Sequence, residues 1–165
     1  MTDLASVLPA AREIIERCAA AKLKIAAAES CTGGLVAGAL TEIEGSSAVV
    51  DRGFVTYSNA AKISVLGVAP DLIAQFGAVS REVALAMVAG AIARSDADIA
   101  VAITGIAGPT GGSAEKPVGL VHFAAVRRGH RAVHVERRFG DIGRSEVRLA
   151  SVAEALAMLK ALTDA

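Results

Sequence analysis

Ala26-Ala27-Ala28-Glu29-Ser30-Cys31-Thr32-Gly33-Gly34 decides how this chain is read. The segment starts as a buried strand, runs into a polar, glycine-containing turn and opens a helix. A serine at the end of such a strand is held at a fixed point in space. The backbone N–H groups after it are expected to be free to bind an anion, because the first turn of a helix has no internal partners for them. One short segment can therefore supply a nucleophile, an oxyanion site or a phosphate cradle.

Working outward, apolar residues at helical spacing (Leu4, Leu8, Ala11, Ile14, Ile15, Cys18) predict a first helix over 4–21, and the first strand follows over 24–28. A helix is expected over 32–43, ended by Gly45-Ser46-Ser47. The β-rich run 49–57 predicts a second strand ending at Tyr57, and Asn59 reads as the cap of a short helix through Leu66. Ala69-Pro70-Asp71 starts another short helix that ends near Gly77. Ser80 caps a long helix to about Arg94, and the continuous apolar run 99–103 has the look of a strand buried on both faces. After a Gly/Pro loop over 104–118, two β-rich segments, 119–127 and 131–139, form a hairpin, and a final helix covers 145–162. The expected fold is α/β: a three-layer α/β/α sandwich with a mixed, mostly parallel sheet and a late antiparallel hairpin.

The chain has 165 residues, enough for a proper core in a single domain, and 53% of them are apolar. Lys+Arg and Asp+Glu number 17 each, so no net field attracts nucleic acid or an anionic membrane. A phosphate-bearing ligand must be caught by a local site. Cys18 and Cys31 lack Cys-x-x-Cys spacing, and the N-terminus has no basic region followed by an apolar run. A reducing, cytoplasmic compartment is expected, with no membrane span.

Two glycine-bearing loops follow buried strands: the Ser30 turn and Thr104-Gly105-Ile106-Ala107-Gly108-Pro109-Thr110-Gly111-Gly112. Ligands of open α/β sheets bind at the carboxyl ends of strands, so these loops form a crevice if their strands are parallel neighbours. Otherwise their glycines only make turns. Neither loop matches a standard nucleotide fingerprint.

Ser30 needs a base, because its hydroxyl is almost never ionised at neutral pH. Lys62 lies about one helical turn past Tyr57, the only tyrosine in the chain, and becomes a base if burial depresses its pKa. A solvated surface lysine is the commoner state. His122, His130 and His134 are alternative bases, though all three fall in or beside the hairpin and read as sheet or turn residues. No metal-ligand spacing is present, and neither a metal nor another cofactor is expected. Cys31, just inside a helix start, is a rival nucleophile or a small buried thiol.

Several segments then occur in one order: the Ser30 motif, Gly45-Ser46-Ser47, Gly53-Phe54-Val55-Thr56-Tyr57-Ser58-Asn59, Gly77-Ala78-Val79-Ser80, Gly105-Ile106-Ala107-Gly108-Pro109 and Lys116-Pro117-Val118-Gly119. In this the chain resembles the CinA C-terminal domain family, over nearly its whole length. The resemblance implies one amidohydrolase domain over 1–165 acting on nicotinamide mononucleotide, a small-molecule substrate, with Ser30 as nucleophile and Lys62 as general base. Tyr57 is implied to orient them or to stabilise the lysine's working state. Cys31, Thr32, Gly33, Gly34, Thr104 and Gly105 are implied to supply backbone donors, and Lys116 to reach a phosphate or a carboxylate. Arg144 occupies the family's arginine position before the last helix, while Gly143 replaces its usual acid. With no counterpart of the large N-terminal domain of full-length CinA proteins, the chain resembles the stand-alone form. Other readings are a non-catalytic nucleotide-binding regulatory module and a serine amidohydrolase for another small amide. Alanine-rich helices and an exposed hairpin edge lead to an expected homodimer or higher homo-oligomer.

Overall fold

The computed structural model describes residues 2–164. A short 3-10 turn over Ala5–Val7 leads into α1 (Leu8–Ala21), which buries Ala11, Ile14, Ile15 and Cys18 at helical spacing. Next come β1 (Ile25–Glu29), α2 (Leu35–Thr41), β2 (Val50–Val55), α3 (Asn59–Leu66), α4 (Pro70–Phe76) and α5 (Arg81–Ala93). β3 (Ile99–Gly105), the hairpin of β4 (Leu120–Arg127) and β5 (Val133–Arg138), and the long α6 (Arg144–Thr163) complete the chain. None of the described helices is long and apolar enough to cross a membrane.

The sheet runs β2-β1-β3-β4-β5. β1 pairs in parallel with both β2 and β3, whereas β3–β4 and β4–β5 are antiparallel. Four of the five strands therefore point one way, as the expected mixed architecture requires. β1 and β3 are buried along almost their full length, in keeping with the apolar runs 25–28 and 99–103 that begin them.

The two faces of the sheet are packed differently. On one face Ile25, Ala27, Val101, Ile103, Val121 and Phe123 meet α1, α2 and α6. On the other, strand positions are mostly alanine (Ala26, Ala28, Ala100, Ala102, Ala124), and α5 closes over them with Val83, Met87 and Val88. Small strand residues let that helix approach closely. The same layer holds α3 through Leu66. Gly90 of α5 faces the Leu66 carbonyl so tightly that a Cβ there would lie 2.1 Å from the oxygen. The crossing of α3 over α5 is thus set by a missing side chain.

Three of the boundaries that depart from the sequence reading have a plain physical cause. α2 starts at Leu35, not Thr32, because Gly33 and Gly34 both take positive φ, which a right-handed helix excludes. β2 ends at Val55, so Tyr57 lies beyond the strand. The cap of α3 is Ser58, not Asn59: Ser58 is extended and its hydroxyl accepts from Ala61 N–H at 3.0 Å.

Candidate active site

A cleft of about 260 Å³ opens at the carboxyl ends of β1 and β3. These strands are parallel neighbours, and β1 leads away to β2 on its other side, so the cleft sits where the strand order reverses. Ser30, Cys31, Tyr57, Lys62, Thr104, Gly105 and Arg144 all line it, together with Asn59 and the loop around Gly108.

Lys62 Nζ lies 2.8 Å from Ser30 Oγ. α3 drives the lysine inward, leaving only 1% of it exposed. Its other contacts are the backbone carbonyl oxygens of Thr56 at 2.8 Å and Tyr57 at 3.4 Å. No carboxylate pairs with it among the described residues. Burial therefore holds the amine below its ordinary pKa. The adjacent Cys31 thiol is pushed up to about 12, chiefly by burial, and stays protonated near neutral pH.

The turn after Ser30 overturns one expectation. Glu29, 1% exposed, folds its carboxylate over the start of α2. It accepts from Gly34 N–H at 3.1 Å, Val36 N–H at 3.0 Å and Ala37 N–H at 2.9 Å. Gly33 N–H bonds back to the Ser30 carbonyl at 3.0 Å. Gly33 and Gly34 thus shape the turn and have no N–H left to donate, because the chain caps its own helix before a ligand can. Within this turn the N–H groups of Cys31 and Thr32 have no backbone or carboxylate acceptor among the described residues, but Thr32 is fully buried and does not line the cleft.

Tyr57 enters this site differently than expected. Its carbonyl, not its hydroxyl, faces Lys62, while its side chain is 59% exposed at the rim. The hydroxyl accepts from Arg144 Nη2 at 2.8 Å, and Arg144 Nη1 donates to the Gly108 carbonyl at 2.9 Å. The guanidinium is thus ordered at the rim by a hydroxyl and a carbonyl, with no carboxylate paired to it among the described residues. Thr104 Oγ1 donates to the Ala78 carbonyl at 2.8 Å, tying the end of β3 to the segment before α5.

Lys116 is not brought to the cleft. Its ammonium donates to the Phe76 carbonyl at the end of α4, which anchors the long loop instead. The histidines also stay apart. His122 Nδ1 and His134 Nε2 lie 2.9 Å apart across the hairpin, each held below its usual pKa mainly by burial, and His130 is exposed in the hairpin turn.

The sequence reading missed Glu29 as a cap and Arg148 altogether. From α6, Arg148 Nε donates to the Cys31 carbonyl and Nη2 to the Thr32 carbonyl, both at 3.1 Å. An acid placed just before two glycines at a helix start was a usable signal for Glu29. Arg148 had none.

The family model of the CinA C-terminal domain matches residues 8–163. The chain belongs to this family. It is 53% identical over 126 residues, 76% of each chain, to a protein named nicotinamide-nucleotide amidohydrolase PncC from Enterobacter agglomerans. It is 56% identical over 109 residues to a putative competence-damage inducible protein of Symbiobacterium thermophilum. The matched part is 66% of this chain but 26% of that longer relative. Among solved structures, competence/damage inducible protein CihA from Agrobacterium tumefaciens superposes with a TM-score of 0.95 at 59% identity, covering 98% of this chain and 99% of that one.

Proposed function

We propose that this chain hydrolyses the carboxamide of nicotinamide mononucleotide, giving nicotinate mononucleotide and ammonia. The observation that carries the reading is the buried 2.8 Å contact between Lys62 Nζ and Ser30 Oγ. Substrate choice is supported by likeness to proteins named nicotinamide-nucleotide amidohydrolase, in Enterobacter agglomerans and in Escherichia coli.

Neutral Lys62 takes the proton of Ser30 as Oγ attacks the amide carbon. The carbonyl electron pair moves onto oxygen, where the Cys31 N–H, in the wall of the cleft, is a donor left to receive it. Collapse re-forms the carbonyl and breaks the C–N bond. The Lys62 ammonium returns its proton to the departing nitrogen, and ammonia leaves. Water then attacks the acyl ester, gives a proton to Lys62, and releases the acid as Ser30 regains its hydrogen.

Burial makes this base usable, since it favours the uncharged amine. The Thr56 carbonyl accepts one hydrogen of Nζ, which leaves the nitrogen lone pair for the Ser30 hydroxyl. At the rim, Arg144 offers a cation to the 5′-phosphate and Tyr57 an exposed aromatic face. Thr104 and Gly105 also line the cleft. Lys116, anchored on α4, has no part in this reading.

The test is incubation of the purified protein with nicotinamide mononucleotide, measuring ammonia and nicotinate mononucleotide, with Ser30→Ala alongside. Product from the wild type and none from the variant is expected. Equal turnover by both would sink the mechanism. Nucleotide binding without product from either would favour a regulatory module, and turnover of a different amide would move the substrate.

A further inference from the structure

Most polar side chains that line the cleft already have partners in the fold. Ser30 is paired with Lys62, Thr104 with the Ala78 carbonyl, and Arg144 with the Tyr57 hydroxyl and the Gly108 carbonyl. Asn59 and Thr110 also line the cleft, and neither side chain makes a hydrogen bond among the described residues. Thr110 belongs to the loop whose Gly108 carbonyl holds Arg144, at the rim.

Asn59 stands at the other end. It is the first residue of α3, directly after the capping Ser58. Helical side chains lean toward the N-terminus of their helix, and residues three apart share a face. Lys62 shows this lean: its Nζ reaches back to the carbonyl oxygens of Thr56 and Tyr57, just ahead of the helix. The base nitrogen therefore lies level with the first turn of α3, on the face that Asn59 shares. Asn59 is exposed, so its amide is open to a ligand in the cleft.

A carboxamide attacked by Ser30 makes two different demands. Its oxygen gains charge and needs donors. Its NH₂ group carries two N–H donors and needs an acceptor that leaves the nitrogen lone pair accessible. Several carbonyl oxygens around the site are in use: those of Thr56 and Tyr57 accept from Lys62, that of Ala78 from Thr104, and that of Gly108 from Arg144. Asn59 Oδ1 is an acceptor beside the base with no partner.

We propose that Asn59 reads the scissile carboxamide, its Oδ1 accepting an N–H of the substrate's NH₂ group. The contact fixes the plane of the amide against Ser30 Oγ and leaves the nitrogen lone pair to the Lys62 ammonium. Asn59 is thereby a specificity-determining residue, selecting an amide over an ester of the same shape. This rests on Ser30 being the nucleophile and on a carboxamide being the substrate. A residue that only started α3 would not distinguish amide from ester.

The experiment compares wild type and Asn59→Ala on nicotinamide mononucleotide and on the methyl ester of nicotinate mononucleotide, which keeps the carbonyl and has no N–H. Asn59→Ala is expected to lower kcat/KM on the amide by about 10-fold, the upper end of what one neutral hydrogen bond contributes. On the ester kcat/KM should be unchanged. Modification of Ser30 by a fluorophosphonate, with fluoride leaving, should keep its wild-type rate, because that reagent offers no N–H and the Ser30–Lys62 pair is untouched. The variant should fold normally, since alanine favours a helix and the lost side chain bonds to nothing in the fold. Equal losses on amide and ester overturn the inference, as do an unchanged kcat/KM on the amide and a slower modification of Ser30. If wild type leaves nicotinamide mononucleotide intact but hydrolyses another amide, the substrate reading fails, and that amide and its methyl ester decide this inference. If wild type hydrolyses no amide, both readings fall.

Discussion

Ser30 Oγ and Lys62 Nζ lie 2.8 Å apart, although one residue directly follows the central strand β1 and the other sits in α3, which packs against α5. Because burial depresses the lysine pKa from 10.5, the folded protein binds fewer protons than the unfolded chain between the folded value and 10.5. In that window stability rises with pH, and it falls as pH drops through the folded value. Lys62→Met removes the titration. The stability difference between wild type and Lys62→Met should therefore shift in favour of wild type as pH rises toward 10.5. Urea unfolding across pH checks this, and a pH-independent difference would count against a depressed pKa. In parallel, kcat/KM should rise with pH through an apparent pKa below 10.5.

Gly90 and Leu66 set the position of that lysine indirectly. A Cβ at position 90 would meet the Leu66 carbonyl at 2.1 Å, and backbone cannot yield as a side chain tip can. Gly90→Ala is expected to cost about 1–3 kcal/mol through overpacking. It should also push α3 off the sheet, lengthening the Ser30–Lys62 contact and lowering kcat. Denaturant unfolding and turnover measured on the same sample check both effects. Loss of stability with kcat retained would show that α3 tolerates the shift.

Glu29 caps α2 with three N–H acceptances from a carboxylate that is almost fully buried. Glu29→Gln keeps the shape but replaces one acceptor oxygen with an NH₂ donor facing N–H groups. A buried group left unpaired in this way costs about 1–3 kcal/mol. The expected outcome is that loss of stability in urea, together with faster amide exchange at Gly34, Val36 and Ala37. Unchanged exchange at these amides would mean that the carboxylate is not their partner in solution.

These cases also mark how far the sequence could be read. The architecture was legible because 25–28 in β1 and 99–103 in β3 are continuous apolar runs, the pattern of strands covered on both faces. The hairpin was legible from its two β-rich runs around Arg128-Gly129-His130. Which of Ser58 and Asn59 caps α3 was not, since both side chains can do so and only the backbone turn distinguishes them. Nor was the burial of Lys62: its neighbours Ala61 and Ile63 say nothing of the Thr56 carbonyl that receives it. Lys116 looked like a ligand residue for its motif, but its partner, the Phe76 carbonyl, is set by how the long loop folds back. Arg148 reaches a turn 117 residues away, a distance over which no local pattern carries information.

Arg144 stands at the rim with its guanidinium held by the Tyr57 hydroxyl and the Gly108 carbonyl, neither of which neutralises it. A phosphate arriving there gains charge-assisted hydrogen bonds, typically about 1.5–3 kcal/mol each. Arg144→Ala is accordingly expected to raise KM for nicotinamide mononucleotide by about 10-fold or more. The same variant should leave the poorer turnover of nicotinamide riboside, which lacks the phosphate, nearly unaltered. Tyr57→Phe removes one anchor of the guanidinium and keeps the ring, so it should produce a smaller rise in KM of the same phosphate-dependent kind. Steady-state kinetics on both substrates check this. Equal losses on the mononucleotide and the riboside would place the effect of Arg144 on the shape of the cleft and not on the phosphate.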